Sequence, residues 1–511
     1  MIPALRADLE AARYRVDHLD GLWGAAAAAA LQRGNRVPAS RALAASADPA
    51  ALLARVFVLG ESVEQERLAA ALPTIGVAGA ETLGLIAREG DRIRAVLDLR
   101  PYAFVDPHGA GSWWLASDLG ELATGEPLRV DHVLGVGGAS TTLAALQFPD
   151  DVESVLDLGT GCGIQALHAR RFAQRVVATD ISERALWFAR LNADLNDVDG
   201  IEFRLGSLFE PVAGERFDRI VSNPPFVITP RTEGVPEYEY RDGGMEGDAL
   251  VASVVAGAAE HLAPGGTAQL LGNWEYRWND DGLERAADWA AAAGLDAWVI
   301  ERDRLDPARY AETWIRDGGT RAGTPEFERL CAVWLDDFVR RGVTEVGFGY
   351  LVLRRPAADA ADAADADAVP GALPRFRRTE RAVAPLDGVT GIGAHLAEAL
   401  AARDAVAALD DDALLAAHLQ VAGDVTEERS HWPGAEDPSV IVLRQGGGLR
   451  RELRADPALA AVVGACDGEL PLGVIVDAVA ELLGADAERM RPALVAEVRE
   501  LVVDGMLRPA P

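Results

Sequence analysis

Two short stretches of the chain carry residues whose types and spacing could do chemistry. In FDRIVSNPPFVITP a β-branched run ends at Asn223, Pro224, Pro225 and Phe226. Consecutive prolines fix φ and remove two backbone donors, so carbonyl groups and the Asn223 side chain are left as acceptors at the end of a predicted strand. A planar NH₂ group lying there could donate to the Asn223 amide oxygen and to the Pro224 carbonyl, with Phe226 covering one face of its π system. Those bonds draw electron density onto nitrogen and favour its in-line attack on an electrophilic methyl group. That is charge stabilisation and positioning, not general-base catalysis. A proline-stiffened loop is the bland alternative.

The second stretch, VLDLGTGCGIQALHAR, runs from a predicted strand through Gly159, Thr160, Gly161 and Gly163 into a predicted helix. Glycine lets the backbone turn tightly and lets a ligand approach without a Cβ in the way, while the helix start offers free N–H groups. On its own the pattern is also compatible with close strand–helix packing. The next predicted strand ends in RVVATDIS, seventeen positions beyond Gly163, with Asp180 able to accept from two ribose hydroxyls and Ile181 beside it. Capping of the following helix is the bland reading of Asp180. Dinucleotide sites space their glycines GxGxxG, whereas position 164 is Ile, and Asp157 suits a cationic amino-acid moiety better than a pyrophosphate. The residues therefore favour S-adenosyl-L-methionine over a nicotinamide dinucleotide.

These residues need a scaffold. Between 131 and 355 the runs VESVLDL, QRVVATD, IEFRLG, FDRIVSN, GTAQLLGN, AWVIERD and VGFGYLVLR alternate with helical patterns. Such alternation predicts a seven-stranded, doubly wound Rossmann-like α/β sheet, with the last two runs as an antiparallel pair. Residues 1–130 read as a helical, winged-helix-like region ending in a small ribbon. Residues 356–374, rich in Ala and Asp, read as an acidic linker, and 375–511 as a mainly helical, possibly winged domain. The stretch from Arg304 to Thr344 is long for a hairpin connection and predicts a helical insert.

Composition narrows the function. All 49 basic residues are arginine, which excludes a P-loop lysine, a kinase ATP lysine and a pyridoxal Schiff base. A net charge of -31 repels phosphate backbones and anionic lipid. The three cysteines, Cys162, Cys331 and Cys466, have no metal-ligand spacing, so no metal is expected, and a reduced cytoplasm is. Neither a spanning helix nor an export signal is read at the N-terminal end.

GTGCG after Asp157, the acid at Asp180 and NPPF at Asn223 to Phe226 together resemble the class I "small methyltransferase" group. That group includes ribosomal-RNA N-methyltransferases and release-factor glutamine methyltransferases, and the resemblance covers roughly Asp131 to Arg355. It implies S-adenosyl-L-methionine as cofactor and Asn223 at both cofactor and acceptor. It further implies Ser207, in GSLFEPV, on the adenine side, and Thr141 or Thr142 in a segment that closes over cofactor and substrate. RDGGMEGDAL resembles the stretch that follows the motif in glutamine methyltransferases, while NPPF in place of NPPY leans toward RNA enzymes. Trp274, in GNWEYRWND, and Arg316, in the insert, are further candidates for substrate contact, with core packing and a surface ion pair as their bland readings. The expected function is N-methylation of a macromolecule, a protein side-chain nitrogen such as that of glutamine ahead of adenine N6 or guanine N2 of a nucleic acid. A binding protein that keeps the cofactor pocket without chemistry is the alternative from another class, and an intact NPPF argues against it.

Overall fold

A computed structural model describes residues 1–125, 128–357, 375–382 and 391–510. The acidic stretch 358–374, expected to be a linker, lies outside the described residues. The chain divides into two compact units. The first holds residues 1–144, 150–355 and 377–379, and the second 145–149, 356–376 and 380–511.

The first unit is built on one large sheet. Its strands are β1 (Val152–Leu158), β2 (Ala173–Asp180), β3 (Ile201–Leu205), β4 (Phe217–Ser222), β5 (Leu262–Arg277), β6 (Asp296–Leu305) and β7 (Val343–Arg354), with β8 (Arg377–Arg381) at the far edge. The order is β8-β6-β7-β5-β4-β1-β2-β3. Strands β1 to β5 pair in parallel, and β7 is antiparallel to both β5 and β6, as the sequence pattern implies. The seven expected strands are present, and β8 adds an eighth. Parallel central strands are covered on both faces and need continuous apolar runs; β1 supplies Val155, Leu156 and Leu158, all buried.

Helices cover the sheet. They include α1 (Gly138–Leu146), α2 (Ile164–Ala169), α3 (Glu183–Leu195), α4 (Ala249–His261) and α5 (Gly282–Ala292), and between β6 and β7 the insert forms α6 (Pro307–Asp317) and α7 (Pro325–Arg341). In α3, Ser182 accepts from the Ala185 N–H as N-cap and Glu183 sits in the first turn, where the helix dipole favours an acid.

The N-terminal residues share a core with this helix. Leu5, Leu9, Tyr14, Leu53 and Phe57 belong to the same buried cluster as Ile164, Leu167, Phe188 and Leu195. Burying a side chain the size of Phe188 contributes about 1.5–3 kcal/mol. Two asparagines one helical turn apart stitch the strand Gly109–Asp118 to α3. Asn192 accepts from the Ala116 N–H at 2.7 Å and donates to the Ala116 and Cys162 carbonyls. Asn196 accepts from the Trp114 N–H at 2.9 Å and donates to the Trp114 carbonyl. Each amide side chain thus satisfies backbone groups that no neighbouring strand reaches.

The second unit is mainly helical, as expected, with helices such as Ile392–Ala407 and Ala487–Val503. Its helices are accompanied by two three-stranded sheets, formed by short strands of three to six residues such as Val425–Ser430 and Val440–Gln445. Runs that short, with VTEERS polar after its first residue, give no two-residue periodicity to read. No helix among the described residues is long and apolar enough to cross a membrane.

Candidate active site

The carboxyl ends of β1, β2 and β4 open on a cavity of about 400 Å³. This is where an open parallel sheet leaves a crevice, because connections from neighbouring strands leave in opposite directions. Gly159, Thr160, Gly161, Asp180, Ile181, Ser207, Asn223, Pro224 and Pro225 all line it.

The glycine loop is held by short bonds. The N–H groups of Gly159 and Thr160 donate to the Thr179 carbonyl at 2.9 Å, and that of Gly161 to Asp180 Oδ2 at 2.9 Å. Gly161 has φ +55° and open space where a Cβ would stand, so its conformation demands glycine and its missing side chain leaves room for a ligand. Gly163 differs: at φ +89° its Cβ would come within 3.0 Å of Ala189, so this glycine serves the packing of the loop on α3. Asp180 Oδ1 accepts from the Ser182 N–H, while Ser182 itself is the helix cap. Each carboxylate oxygen keeps a further acceptor site for a ligand. Ile181, 67% exposed, offers an apolar surface at the cavity wall.

Asp157 is buried behind the loop. Its Oδ2 accepts from the Thr160 hydroxyl at 2.6 Å, and its Oδ1 has no hydrogen-bond partner. Burial pushes its carboxyl up to about 7, with the Thr160 hydroxyl and the Ala166 amide pulling the other way and Asp180 adding to the rise. A carboxylate oxygen in that state is a site for a cation or a donor. The fit to S-adenosyl-L-methionine is therefore good: an orphaned acid for an ammonium, a cradle without Cβ atoms, and a strand-end carboxylate for hydroxyls.

Across the cavity Asn223 presents a buried Oδ1 without a partner. Ser222 anchors the turn by donating to the Leu158 carbonyl at 2.7 Å. Phe226 departs from expectation. Its ring packs against Phe348 and Trp314 at 5.2 and 6.4 Å and does not line the cavity, because a bridge between Phe226 and Asp242 turns the chain inward there. Tyr310, from α6, braces the next residues: its hydroxyl oxygen accepts from the Ile228 N–H at 3.0 Å and from Asn273 Nδ2 at 2.6 Å.

The candidates for substrate contact fall elsewhere. Trp274 is fully buried within β5, opposite Gly347, and donates to Glu301 at 3.0 Å. The strand runs on past it to Arg277, so the indole lies in the sheet and not at its open end. Arg316 is exposed and pairs with Glu312 one turn away. Thr141 donates back to the Gly138 carbonyl at 3.0 Å, and neither it nor Thr142 lines the cavity; their neighbour Ser140 does.

Further residues complete the wall, Asp242 to Met245 among them from the RDGGMEGDAL stretch. His132, Val133, Leu134 and Gly135 form one strip, and Glu239, Tyr240 and Asp242 to Met245 another. The Glu239 N–H donates to the Val130 carbonyl at 3.0 Å, and the His132 ring meets the edge of Tyr240 at 6.0 Å. Burial holds His132 below its ordinary pKa, and so neutral at pH 7.

Residues 137–284, which contain the glycine loop, Asp180 and NPPF, match the family model described as methyltransferase small domain. Residues 11–96 and 400–509 match two domains of unknown function (DUF7059 and DUF7782). A release factor glutamine methyltransferase from Xylella fastidiosa is 41% identical over 164 residues, 30% of this chain and 59% of the relative. A ribosomal protein uL3 glutamine methyltransferase from Bradyrhizobium diazoefficiens is 36% identical over 183 residues, 31% of this chain and 57% of the relative. The chain thus spans little more than half the length of these relatives.

Proposed function

We propose that the protein is an S-adenosyl-L-methionine-dependent N-methyltransferase whose acceptor is a side-chain amide nitrogen of a protein, glutamine first. The observation that carries this is the orphaned Asn223 Oδ1, buried in the same cavity as the glycine loop and Asp180. S-adenosyl-L-methionine, when bound, supplies an electrophilic methyl group on a sulfonium. On the donor side Asp180 would hold the ribose hydroxyls and Ile181 and Ser207 would flank the adenine, with Asp157, buried behind the loop, as the acid for the ammonium end. On the acceptor side Asn223 Oδ1 and the Pro224 carbonyl accept from the substrate NH₂. Those two bonds fix the nitrogen's orientation and stabilise the positive charge it gains as it attacks. Phe226 stiffens the turn from behind.

The protein acceptor is favoured by charge as well as by the names of the relatives. Among the described residues the cavity is lined by Asp180, Glu239 and Asp242 and by neither Arg nor Lys, a field that disfavours a phosphate-bearing strand. The test is incubation of the full chain with methyl-labelled cofactor and separate protein and RNA pools, followed by intact-mass analysis. Label in protein supports the reading. Label in RNA alone overturns its acceptor, and cofactor binding without transfer to either pool overturns the enzyme.

A further inference from the structure

The acceptor-side mouth of the cavity has a charge pattern that neither family resemblance nor fold requires. Glu239 lines the cavity, is exposed, and has its backbone fixed by the bond to Val130. Next to it Tyr240 also lines the cavity and donates its hydroxyl to Asp317 at 3.0 Å; the Asp317 side chain is itself 43% exposed. Burial and Asp317 together hold the Tyr240 phenol well above its ordinary pKa, so it stays a neutral aromatic face. The arginine of this strip offsets Asp317 and leaves Glu239 unpaired by it: Arg241 is 6% exposed, stacks on Tyr238 at 4.5 Å and bonds the Trp314 carbonyl and Asp317. Arg129, next to the Val130 that bonds the Glu239 N–H, is paired with Asp131.

The acids alone would not make a site. Two orphaned groups within the same cavity, Asn223 Oδ1 and the hydroxyl of Thr179, which is 1% exposed, mark it as built for a ligand, and the acids say which charge approaches. We propose that this mouth recognises a cationic segment of the protein substrate, with an arginine or lysine next to the methyl-accepting residue lying against Glu239 and the Tyr240 ring. An exposed carboxylate beside an aromatic face is the arrangement that attracts such a cation. The proposal rests on the reading of the cavity as a protein N-methyltransferase site and names the charge class of its substrate.

The test uses the full chain and two fluorescent peptides that share one glutamine and differ only in flanking residues, arginine in one and glutamate in the other. Binding is read by anisotropy and transfer by mass, at low and at raised salt. The arginine peptide should bind about five- to tenfold more tightly at low salt and lose most of that margin as salt rises. Glu239→Arg should erase or invert the preference with cofactor affinity unchanged, and Glu239→Gln should reduce it by less. Equal binding, no binding of either peptide, a preference for the glutamate peptide, or a margin that survives Glu239→Arg overturns the proposal. A margin that behaves as expected while no methyl is transferred keeps the proposal and overturns the enzymatic reading.

Discussion

On the donor side of the cavity most ligand-facing groups come from one stretch of chain, Gly159 to Ser182, held by bonds such as Gly161 N–H to Asp180 Oδ2, with Ser207 added from beyond β3. The acceptor side is assembled from distant parts: the NPPF turn, the strips 132–135 and 239–245, and the brace from Tyr310 in the insert. The difference teaches where each kind of specificity can reside. A local loop can bind one invariant small molecule, while a wall made of several segments can be reshaped for a new acceptor without disturbing the donor.

That contrast can be broken by substitutions that should act on one side only. The largest effect is expected for Asn223→Ala, which removes one acceptor from the substrate NH₂: turnover should fall by ~10²–10³ with cofactor affinity nearly unchanged, read by steady-state kinetics beside calorimetry. Asp180→Ala should do the reverse, weakening cofactor binding by about 1–3 kcal/mol through loss of a charged acceptor, with turnover recovered at saturating cofactor. Unchanged affinity would remove Asp180 from the site.

The third effect is on pH. The Asp157 carboxyl is raised from its ordinary value of 3.8 to about 7, so the unliganded fold loses stability as pH rises across that window. An ammonium ligand needs the ionised form. Cofactor affinity should therefore fall about tenfold per unit below pH 7, level off above it, and be accompanied by proton release, measured by calorimetry in buffers of different ionisation enthalpy. A flat profile would place the ammonium elsewhere. The smallest effect is expected for Tyr310→Phe, which unpairs the Ile228 N–H and Asn273 Nδ2 behind the NPPF turn. A few-fold loss of turnover, about 1 kcal/mol, with cofactor affinity intact would sharpen the division, and a loss of cofactor affinity would blur it.

The same division explains what could be read from the sequence. Strand-to-helix glycines, the strand-end Asp180 and the doubled proline act through their own backbone, so their spacing announces them. The sheet was legible for a similar reason, since buried parallel strands are continuous apolar runs. Trp274 was misplaced because where β5 ends is decided by its pairing with β7, and the indole's partner Glu301 lies in another strand. Tyr240 and His132 carry no local pattern. They meet only because the Glu239 N–H finds the Val130 carbonyl more than a hundred residues away. Asn192 and Asn196 look like ordinary polar positions of α3 until the strand they stitch is in view.

In the proposed reaction one cavity brings an electrophilic methyl group to an amide nitrogen held by Asn223. The measurement that tests it most directly is transfer from methyl-labelled S-adenosyl-L-methionine to a peptide with a single glutamine, the product fragmented to find the labelled atom, in wild type and Asn223→Ala at saturating cofactor. The account predicts one methyl on the side-chain nitrogen in wild type and a loss of ~10²–10³ in its rate of formation in the variant. Label on any other atom, or an undiminished rate in Asn223→Ala, would contradict it.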